Sequence, residues 1–512
     1  MSGSWQDWSA ADVEVLAEDQ EWRRLDPRML LVHPVNEVVR FLPALIAIFF
    51  VGHSSSGSIW WHVGPVAIPI AIGIMRYFST RFRITDERLE LHRGVVSRNV
   101  LSTQLDKVRT VELTSSPIHR ALGLAKVQIG TGSAIKDGDE KFVLDSLGSS
   151  EARALRHALL HRRTAEADEI SPASDQPDDE ILLTFDPAWI RFAPLTTGGV
   201  LIALGALAAG NQLVGPLAHR ISDRVDLHKP QHLGLTIAAA VVVFLVVISV
   251  LSVIGYVLTN WGFTLSRDRG GRSLHIRKGM LTTRETSVEL ARVRGVEVHE
   301  PLGLRLAHGA RAVAIVTGLT KREAGNTALV PSAPRGVVEK TASTALGESE
   351  PLAMDLTRHG VRATRRRYTR SLTVAGLLDL AWAITVATQH WSPGWYVLLV
   401  FPPVMALALA RDRAARLGHG LTDHYLISQA HSFRGRRSIL EREGIIGWNV
   451  DQTWFQRRLG LVTLTATTAA GKQGYTVHDI PEADAVRLAA AAVPGLLDEF
   501  LAPRPHANAS RT

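Results

Sequence analysis

The sequence has no cysteine among its 512 residues. That absence excludes disulfide bonds, zinc sites with cysteine ligands and catalysis by a thiol, and it leaves the redox compartment undetermined. The motifs G-x-x-x-x-G-K-[ST], H-E-x-x-H and G-x-S-x-G are also missing. The twenty histidines are scattered, with no close pair flanked by carboxylates at the spacing of metal ligands. We therefore expect no catalytic residue, no cofactor and no metal site.

A cleavable signal peptide is not recognisable either. Residues 1–37 are polar and carry charges of both signs, as at Glu21, Arg23 and Arg24. The first apolar run starts only near Val38, and no small-residue cleavage site follows it. We expect residues 1–37 to form a cytoplasmic N-terminal segment and the first apolar segment to be retained.

Charge is distributed unevenly along the chain. The formal net charge is +8 and 46% of the residues are hydrophobic, and arginine-rich segments lie beside long uncharged stretches. Lys and Arg next to a membrane span are attracted to acidic lipid headgroups. The expected partner of this charge is therefore the lipid bilayer and not nucleic acid.

Long apolar segments occur in pairs. About 20 mostly apolar residues cross the hydrocarbon layer as a helix, and Phe192–Leu217 and Leu233–Leu258 have that length without a charged residue. Two weaker pairs complete a prediction of six transmembrane helices in three helical hairpins, at residues 38–78, 189–260 and 371–410. The weaker segments are Val38–Val51, Ile59–Phe78, Ser371–Thr388 and Trp395–Leu409.

The flanking charges predict the orientation. Arginines precede or follow the hairpins, whereas the turns of the first and third hairpins carry no Lys or Arg. The positive-inside rule then places both termini and every large domain in the cytoplasm, with the hairpins in the membrane. The middle turn, His219–Lys229, carries both signs and is the one discordant region.

The same elements recur after each hairpin in the same order. A β-hairpin comes first, as at Arg81–Leu91, where apolar side chains alternate on either side of Thr85-Asp86-Glu87. A Leu-Gly-Leu tripeptide and a strand follow, and each unit closes on a predicted amphipathic helix. The tripeptides are Leu122-Gly123-Leu124, Leu302-Gly303-Leu304 and Leu459-Gly460-Leu461; the helices lie near Glu151–Arg162, Gly336–Leu346 and Glu482–Leu501.

This repeat predicts three β-rich domains, at residues 79–164, 261–350 and 417–501. Short strands capped by one helix are typical of a small barrel or sandwich with its open end plugged. The fold class is therefore mixed, with a six-helix transmembrane region and three cytoplasmic β-domains. Residues 165–180 read as a flexible acidic linker, and residues 502–512 as a disordered tail.

These motifs resemble the bacterial pleckstrin-homology-like (PH-like) domain of YdbS/YdbT-type membrane proteins. The resemblance rests on the Thr85–Arg88 turn, the Arg93-Gly94 step and the Arg120–Leu124 element, and unit two departs most from it. The three-unit layout is similar to the long, YdbT-like member. The resemblance implies a seven-stranded barrel-like sandwich with a closing helix in each unit, and no enzymatic activity.

Basic residues in the domains are the first candidates for function. Close to the bilayer, each such side chain contributes on the order of 1 kcal/mol on anionic headgroups. Two other interpretations stay open, namely charge that only sets the topology on an ordinary solvated face, and a specific headgroup pocket. The candidate lipid- or partner-binding residues are Arg93, Arg98, Lys107, Arg109, Arg277, Lys278, Arg284, Arg292, Arg294, Arg434, Arg436 and Arg437.

Asp379 is the second candidate, because it lies near the middle of the fifth predicted span. A carboxylate within a span usually faces the bundle interior or a water-filled cavity, where it has a partner. It could dock a helix through a hydrogen bond or mark a path for a proton, an ion or a lipid.

The sequence thus predicts a non-enzymatic membrane scaffold. Its domains would bind a partner protein, an anionic lipid surface or each other. The resemblance implies a role in envelope maintenance or stress defence, with a shorter YdbS-like protein or self-association as the expected interaction. The alternative is a transporter or lipid-handling protein that uses the six-helix bundle and Asp379.

Overall fold

The structure is a computed structural model. It describes residues 22–30, 32, 74–75, 78–85, 88–93, 99–105, 108, 110–130, 142–156, 180–196, 233–268, 270–318, 327–390, 392–430 and 434–497. The predicted first span, most of the second and third spans, the acidic linker and the C-terminal tail lie outside these residues.

The chain divides into two compact units. One consists of Met1–Phe185, Val257–Leu290 and Gly318–Thr320; the other consists of Asp186–Tyr256, Ala291–Thr317 and Lys321–Thr512. The first and third repeats each lie within one unit, whereas the strands of the middle repeat are divided between the two.

The first unit contains two antiparallel sheets. A four-stranded sheet has the order β1-β2-β3-β4, and a seven-stranded sheet has the order β7-β6-β5-β11-β10-β9-β8. The strands are β1 (Arg23–Arg24), β2 (Arg81–Ile84), β3 (Arg88–Arg93), β4 (Asn99–Gln104), β5 (Thr110–Ser115), β6 (Leu124–Gly130), β7 (Phe142–Gly148), β8 (Glu180–Thr184), β9 (Thr264–Arg267), β10 (Ser273–Lys278) and β11 (Thr283–Glu289), with helix α1 at Pro117–Ala121. Helix α2 (Leu233–Asn260) belongs to the second unit up to Tyr256, and only its last four residues belong to the first.

Alternation along these strands builds the core of the first repeat. Phe82, Leu89 and Leu91 of the four-stranded sheet are buried together with Val111 and Val127 of the seven-stranded sheet. Because successive side chains on a strand point to opposite faces, the intervening residues face outward. The predicted sandwich is confirmed in this repeat.

The second unit has the same arrangement. A seven-stranded sheet has the order β14-β13-β12-β18-β17-β16-β15, and a three-stranded sheet has the order β19-β20-β21. The strands are β12 (Val293–Pro301), β13 (Gly309–Val316), β14 (Ala328–Pro334), β15 (Thr357–Arg358), β16 (Gly418–Leu421), β17 (Tyr425–Ala430), β18 (Arg434–Glu441), β19 (Ile445–Asp451), β20 (Leu461–Thr468) and β21 (Gly474–Pro481). The helices are α3 (Leu302–Leu306), α4 (Arg335–Leu346), α5 (Glu350–Ala353), α6 (Gly360–Thr388), α7 (Phe401–Ala415), α8 (Trp454–Leu459) and α9 (Glu482–Ala492).

Helix α9 closes the core of the third repeat. It places Ala485, Leu488 and Ala489 against buried strand residues such as Val462 and Leu464. The spacing of three and four residues puts these small and apolar side chains on one helical face. This arrangement confirms a closing helix in unit three, but the helix ends at Ala492 and not near Leu501.

Each predicted hairpin lies between the first described strand of its repeat and the next strand, a feature that no local sequence pattern predicts. Arg24 pairs with Arg81 across the first hairpin, and β8 and β15 likewise pair with the strands that follow the second and third hairpins. Every repeat therefore has seven strands among the described residues, of which the first precedes the predicted hairpin and six follow it. The predicted order, a hairpin followed by a complete domain, is wrong in this respect.

Neighbouring repeats share sheets. The fifth strand of the first repeat, β5, pairs with the fourth strand of the second, β11, and β12 pairs with β18 in the same way. We call these two strand pairs the first and second joints. Because residues 104–124 align without gaps with 289–309 and 441–461, both joints have the same register, with Val111 opposite Ser287 and Val296 opposite Ile439.

The predicted Leu-Gly-Leu match is out of register in the middle repeat. Gly123 and Gly460 follow short helices with φ of 71° and 62°, a conformation that glycine adopts readily. Leu302-Gly303-Leu304 instead lies inside α3. His308 takes the left-handed position of the middle repeat, with φ of 57°, so the structural counterpart has no glycine.

Three helices of the described residues are long and apolar enough to cross a membrane: Val242–Asn260, Gly360–Thr388 and Pro393–Ala415, the last including the 3-10 helix Pro393–Val400 that precedes α7. They agree with predicted spans four, five and six. The start of predicted hairpin 189–260 is wrong, because Pro187–Leu195 is a 3-10 helix with Trp189 and Phe192 buried. The ring of Phe192 lies beside Gly309 at the start of β13, so these aromatic residues cover protein and not lipid.

Candidate functional site

The first joint is held by arginine as well as by the strand ladder. Arg284 of β11 lies 3.7 Å from Glu112 of β5, and Arg156 lies 3.1 Å from Glu285 of β11. Arg120 donates a hydrogen bond of 2.8 Å to the carbonyl of Met280, in the turn before β11. The predicted basic residue Arg284 therefore contacts the neighbouring repeat.

The second joint encloses a buried acid. Glu297 of β12 accepts hydrogen bonds from Lys472 at 2.8 Å and from Ser438 at 3.2 Å, and it lies 3.5 Å from Arg436 and 3.3 Å from His299. Burial alone would raise the pKa of Glu297, but the hydrogen bond from His299 and the charges of Arg436 and Lys472 outweigh it and lower that pKa to about 2. The carboxylate is therefore charged at neutral pH and holds both strands.

Two more predicted arginines stabilise this part of the fold. Arg294 of β12 pairs with Glu441 of β18 at 2.8 Å. Arg437 donates to the carbonyls of Pro351 and Met354 at 2.9 and 2.8 Å, and burial lowers its pKa. These contacts are interactions within the protein and leave less of each guanidinium for a ligand.

The remaining predicted residues have different environments. The Arg277 side chain is 66% exposed and lies 3.5 Å from Glu285. Burial and repulsion by Arg284 lower the pKa of Lys278. Arg292 is buried. Arg93 and Arg434 lie at the end of β3 and the start of β18. Three predicted residues lie outside the described part of the chain: Arg98, Lys107 and Arg109.

The base of α6 carries a polar site that sequence reasoning missed. Asp479, with 1% of its surface exposed, pairs with Arg366 and, at 2.6 Å, with Arg367. Gln456 donates to the same carboxylate at 2.8 Å and is itself part of a capping box with Thr453 at the start of α8. This cluster, the α6 anchor, ties the membrane helix to the third repeat.

Three histidines lie beside the α6 anchor. His359 Nε2 is 3.0 Å from His419 Nδ1, and His359 Nδ1 is 2.8 Å from the carbonyl oxygen of His478. Burial and the neighbouring His419 lower the pKa of His359 to about 4. The ring is therefore neutral at pH 7 and donates to the carbonyl.

An exposed basic and aromatic surface lies next to this anchor, on α6 and α8. Trp454 and Phe455 are exposed and pack edge to face, and Arg458 lies over the Trp454 ring at 3.8 Å. Arg362 of α6 donates to the carbonyl of Leu459 at the end of α8. We call this the membrane-proximal surface; its other exposed arginines are Arg365, Arg370 and Arg457.

Asp379 lies on α6 within the predicted span. Its Oδ1 atom is buried and has no hydrogen-bond partner among the described residues. Nearby, the indole nitrogen of Trp382 donates to the carbonyl of Trp395 at 3.1 Å and so joins the two helices of the hairpin. Within the described ranges no group of three or more His, Asp or Glu residues is placed to hold a metal ion.

Comparison with known proteins agrees with this architecture. The family model for the bacterial PH domain matches residues 35–163, 202–338 and 372–492. The chain belongs to the bacterial PH domain family. Each match begins in or near a predicted hairpin and ends in or near the closing helix of the same repeat, so the resemblance noted from the sequence is confirmed.

One relative matches this chain over nearly the full length of both proteins. The chain is 21% identical to the "UPF0699 transmembrane protein YdbT" of Bacillus subtilis (strain 168) over 494 residues, which cover 91% of this chain and 97% of the relative. No solved structure matches the chain. Together with the three apolar helices, these findings identify a membrane protein with repeated bacterial PH domains.

Proposed function

We propose that this protein is a non-enzymatic scaffold of the bacterial plasma membrane, with six spans and with its PH-like domains and termini in the cytoplasm. The observation that carries the proposal is the pair of joints, where each seven-stranded sheet takes strands from two repeats. A shared sheet holds two repeats together, so it gives no advantage to domains that must move independently. It suits a scaffold, because it fixes the spacing of the scaffold's binding surfaces.

The membrane-proximal surface supports an orientation toward anionic lipid. The α6 anchor at Arg366 lies five residues before Ser371, where the predicted span begins, which is roughly 8 Å along a helix. Arginines at that distance reach the headgroup layer, and exposed Trp and Phe side chains favour the membrane interface. The proposal therefore includes contact between this surface and the cytoplasmic leaflet.

The absence of cysteine makes the orientation directly testable. We expect Ser392→Cys, in the turn of the third hairpin, to react with a membrane-impermeant maleimide in intact cells stripped of their wall. Ser349→Cys, exposed before α5, should react only after permeabilisation. Labelling of Ser349→Cys in intact cells would overturn the orientation.

The scaffold function is tested by the partners of the full chain in native membranes. A photoreactive residue at exposed Val486 of α9 should yield discrete adducts with another protein, such as a shorter relative, or with this chain. Val242 on the lipid-facing side of α2 is the matched control and should give no discrete protein adduct. A chain with neither adducts from the domains nor self-association contradicts the proposal.

A second candidate function rests on Asp379. A buried carboxylate oxygen without a described partner fits a transporter or lipid-handling protein as well as a docking contact. The two differ in outcome, because Asp379→Asn abolishes transport while the protein stays folded, whereas it changes only stability if the residue docks a helix.

A further inference from the structure

Two strand edges, one in the first repeat and one in the third, lack the neighbour that their counterparts have. Within the described residues, β4 pairs only with β3 and β19 pairs only with β20. The counterparts of β4 are β11 and β18, and the counterparts of β19 are β5 and β12; all four of these are paired in the joints. We call β4 and β19 the terminal edges.

We propose that the terminal edges pair with each other between copies, so that β19 of one chain binds β4 of a second chain and forms a third joint. This inference rests on the scaffold function proposed above and names its partner. The same two kinds of edge already bind each other twice within one chain, in one register. A second copy is the occupant that reproduces this established interface.

The register of the third joint follows from the other two. In the two internal joints, Thr110 lies opposite Val288 and Gly295 lies opposite Leu440. In the alignment of the repeats, both pairs correspond to Gly447 and Thr103, so we expect these two residues to lie opposite each other in the third joint. Counting along the antiparallel pair then places Val450 opposite Val100. Five residues of each strand, 447–451 and 99–103, form the ladder.

Side chains that are buried in the internal joints are exposed at the corresponding positions of the terminal edges. Leu113 and Val298 are 5% and 3% exposed within their joints, whereas Val450, at the same position, is 57% exposed. Its predicted partner Val100 is 58% exposed. A β-branched pair directly across two strands stabilises the pairing, and both side chains leave water when it forms.

The charged pairs of the internal joints are replaced by uncharged residues on both terminal edges. At both internal joints an acid meets an arginine, Glu112 with Arg284 and Glu297 with Arg436; the corresponding terminal residues are Asn449 and Asn99. The pair Arg294–Glu441 of the second joint corresponds to Ile446 and Gln104. The two terminal edges carry one charge between them, Asp451, so they can pair without repulsion between like charges.

Protection against pairing is weak at both terminal edges. Soluble sheets commonly guard an edge with charged side chains or proline, but β4 contains neither and β19 has a single charge at its last residue, Asp451.

The third joint is a head-to-tail contact, because β19 and β4 are different surfaces. Such contacts give a ring if the rotation closes and an open row if it does not. The membrane confines all copies to one plane and one orientation, which raises their effective concentration for this contact. The expected product is therefore an assembly of several copies in the bilayer.

Disulfide trapping in the cysteine-free chain tests the third joint. Cα atoms of opposite residues in an antiparallel pair lie about 4.5–5.5 Å apart, within the range of a disulfide. Two separately tagged full-length copies, one with Val100→Cys and one with Val450→Cys, should give a mixed disulfide dimer under mild oxidation. Pairs of two Val100→Cys or two Val450→Cys copies should give at least tenfold less.

Two controls separate the third joint from collision and from misfolding. Val450→Cys with Ser102→Cys is out of register and should give a much lower yield, and Val450→Cys with Ser349→Cys, exposed before α5, should give only background. Val450→Lys should abolish the larger species on a native gel, whereas Ser349→Lys should not. Equal crosslinking at all positions overturns the proposal.

Other occupants give distinct results. If a single chain that carries both cysteines forms only an intrachain disulfide, its own two terminal edges meet. This result overturns the proposal that a second copy is the partner. Adducts of a different protein at β4 and β19 overturn it too and identify a relative as the occupant. If no disulfide forms but the Val486 adducts persist, the third joint is wrong and the scaffold function stands.

Discussion

The α6 anchor makes a sharp prediction, because one buried carboxylate faces two arginines. The change is Asp479→Asn, which removes the charge and keeps the shape. Asp479 has φ of 55°, and asparagine tolerates that left-handed conformation as well as aspartate does. The backbone is therefore not perturbed, and the loss reports on the charge.

Two routes give the same magnitude. Removing one partner from a buried ion pair costs about 3–5 kcal/mol, and the side chains of Arg366 and Arg367 are only 16% and 17% exposed. Opposite charges about 4 Å apart interact by about 4 kcal/mol at an effective dielectric constant of 20. We expect Asp479→Asn to destabilise the third repeat by about 3 kcal/mol, or roughly 100-fold in local opening.

Thiol trapping measures this opening in the full chain. Ala485→Cys, buried on α9, becomes reactive only when the third repeat opens, so its labelling rate reports the opening equilibrium. The control is Asp423→Asn, the same chemical change at an exposed position, which should alter the rate less than threefold. A rate for Asp479→Asn within tenfold of that control refutes the role of the anchor.

Three further predictions concern other sites. The pKa of Glu297 is lower in the folded protein than the ordinary value of 4.5, so its contribution of about 3 kcal/mol is present above pH 4.5 and is lost as the pH falls toward 2. Hydrogen exchange of the β12 amides, corrected for the intrinsic exchange rate at each pH, should show this dependence, and Glu297→Gln should remove it. Gly309→Ala places a methyl group 2.6 Å from the Phe192 ring and should destabilise the folded protein by about 1–3 kcal/mol, as measured by thiol trapping. Gly336→Ala, which has open space around it in α4, should be neutral or stabilising in that assay. Asp379→Asn should leave membrane insertion intact and raise the thermal midpoint in detergent, because an amide within a span costs less than an acid whose buried Oδ1 atom has no described partner; a lower midpoint contradicts this reasoning.

Local patterns were sufficient to predict the repeat, the three described apolar helices and the closing helices of the middle and third repeats. Alternation in Arg81–Leu91 and the uncharged run Leu233–Leu258 are signals contained in one stretch of chain. The strands that precede the hairpins were missed because Arg23–Arg24 and Thr357–Arg358 are two residues long. Two residues have no periodicity, and their partners lie beyond a complete hairpin.

Partner choice between strands could not be predicted either. Alternation shows which side chains of β5 or β12 are buried, but not which strand lies beside them. The arginines Arg284, Arg294 and Arg436 were interpreted as basic loop charges because their acids, such as Glu112, are distant in sequence. The α6 anchor was missed for the same reason, since Arg366 has the composition of an ordinary positive-inside flank.

The strands before the hairpins also constrain how often the chain crosses the membrane. Thr184 pairs with Thr264 across the second hairpin, and neighbouring strands lie about 4.8 Å apart. A segment that begins and ends at the same strand pair must cross the bilayer an even number of times, and this supports the proposal that α2 is one of two crossings. The uncharged residues 196–217 remain long enough, at roughly 20 residues, to supply the other crossing even after Trp189 and Phe192 are assigned to the protein core. The same argument applies at Arg24 and Arg358, and it supports the proposal of three paired crossings.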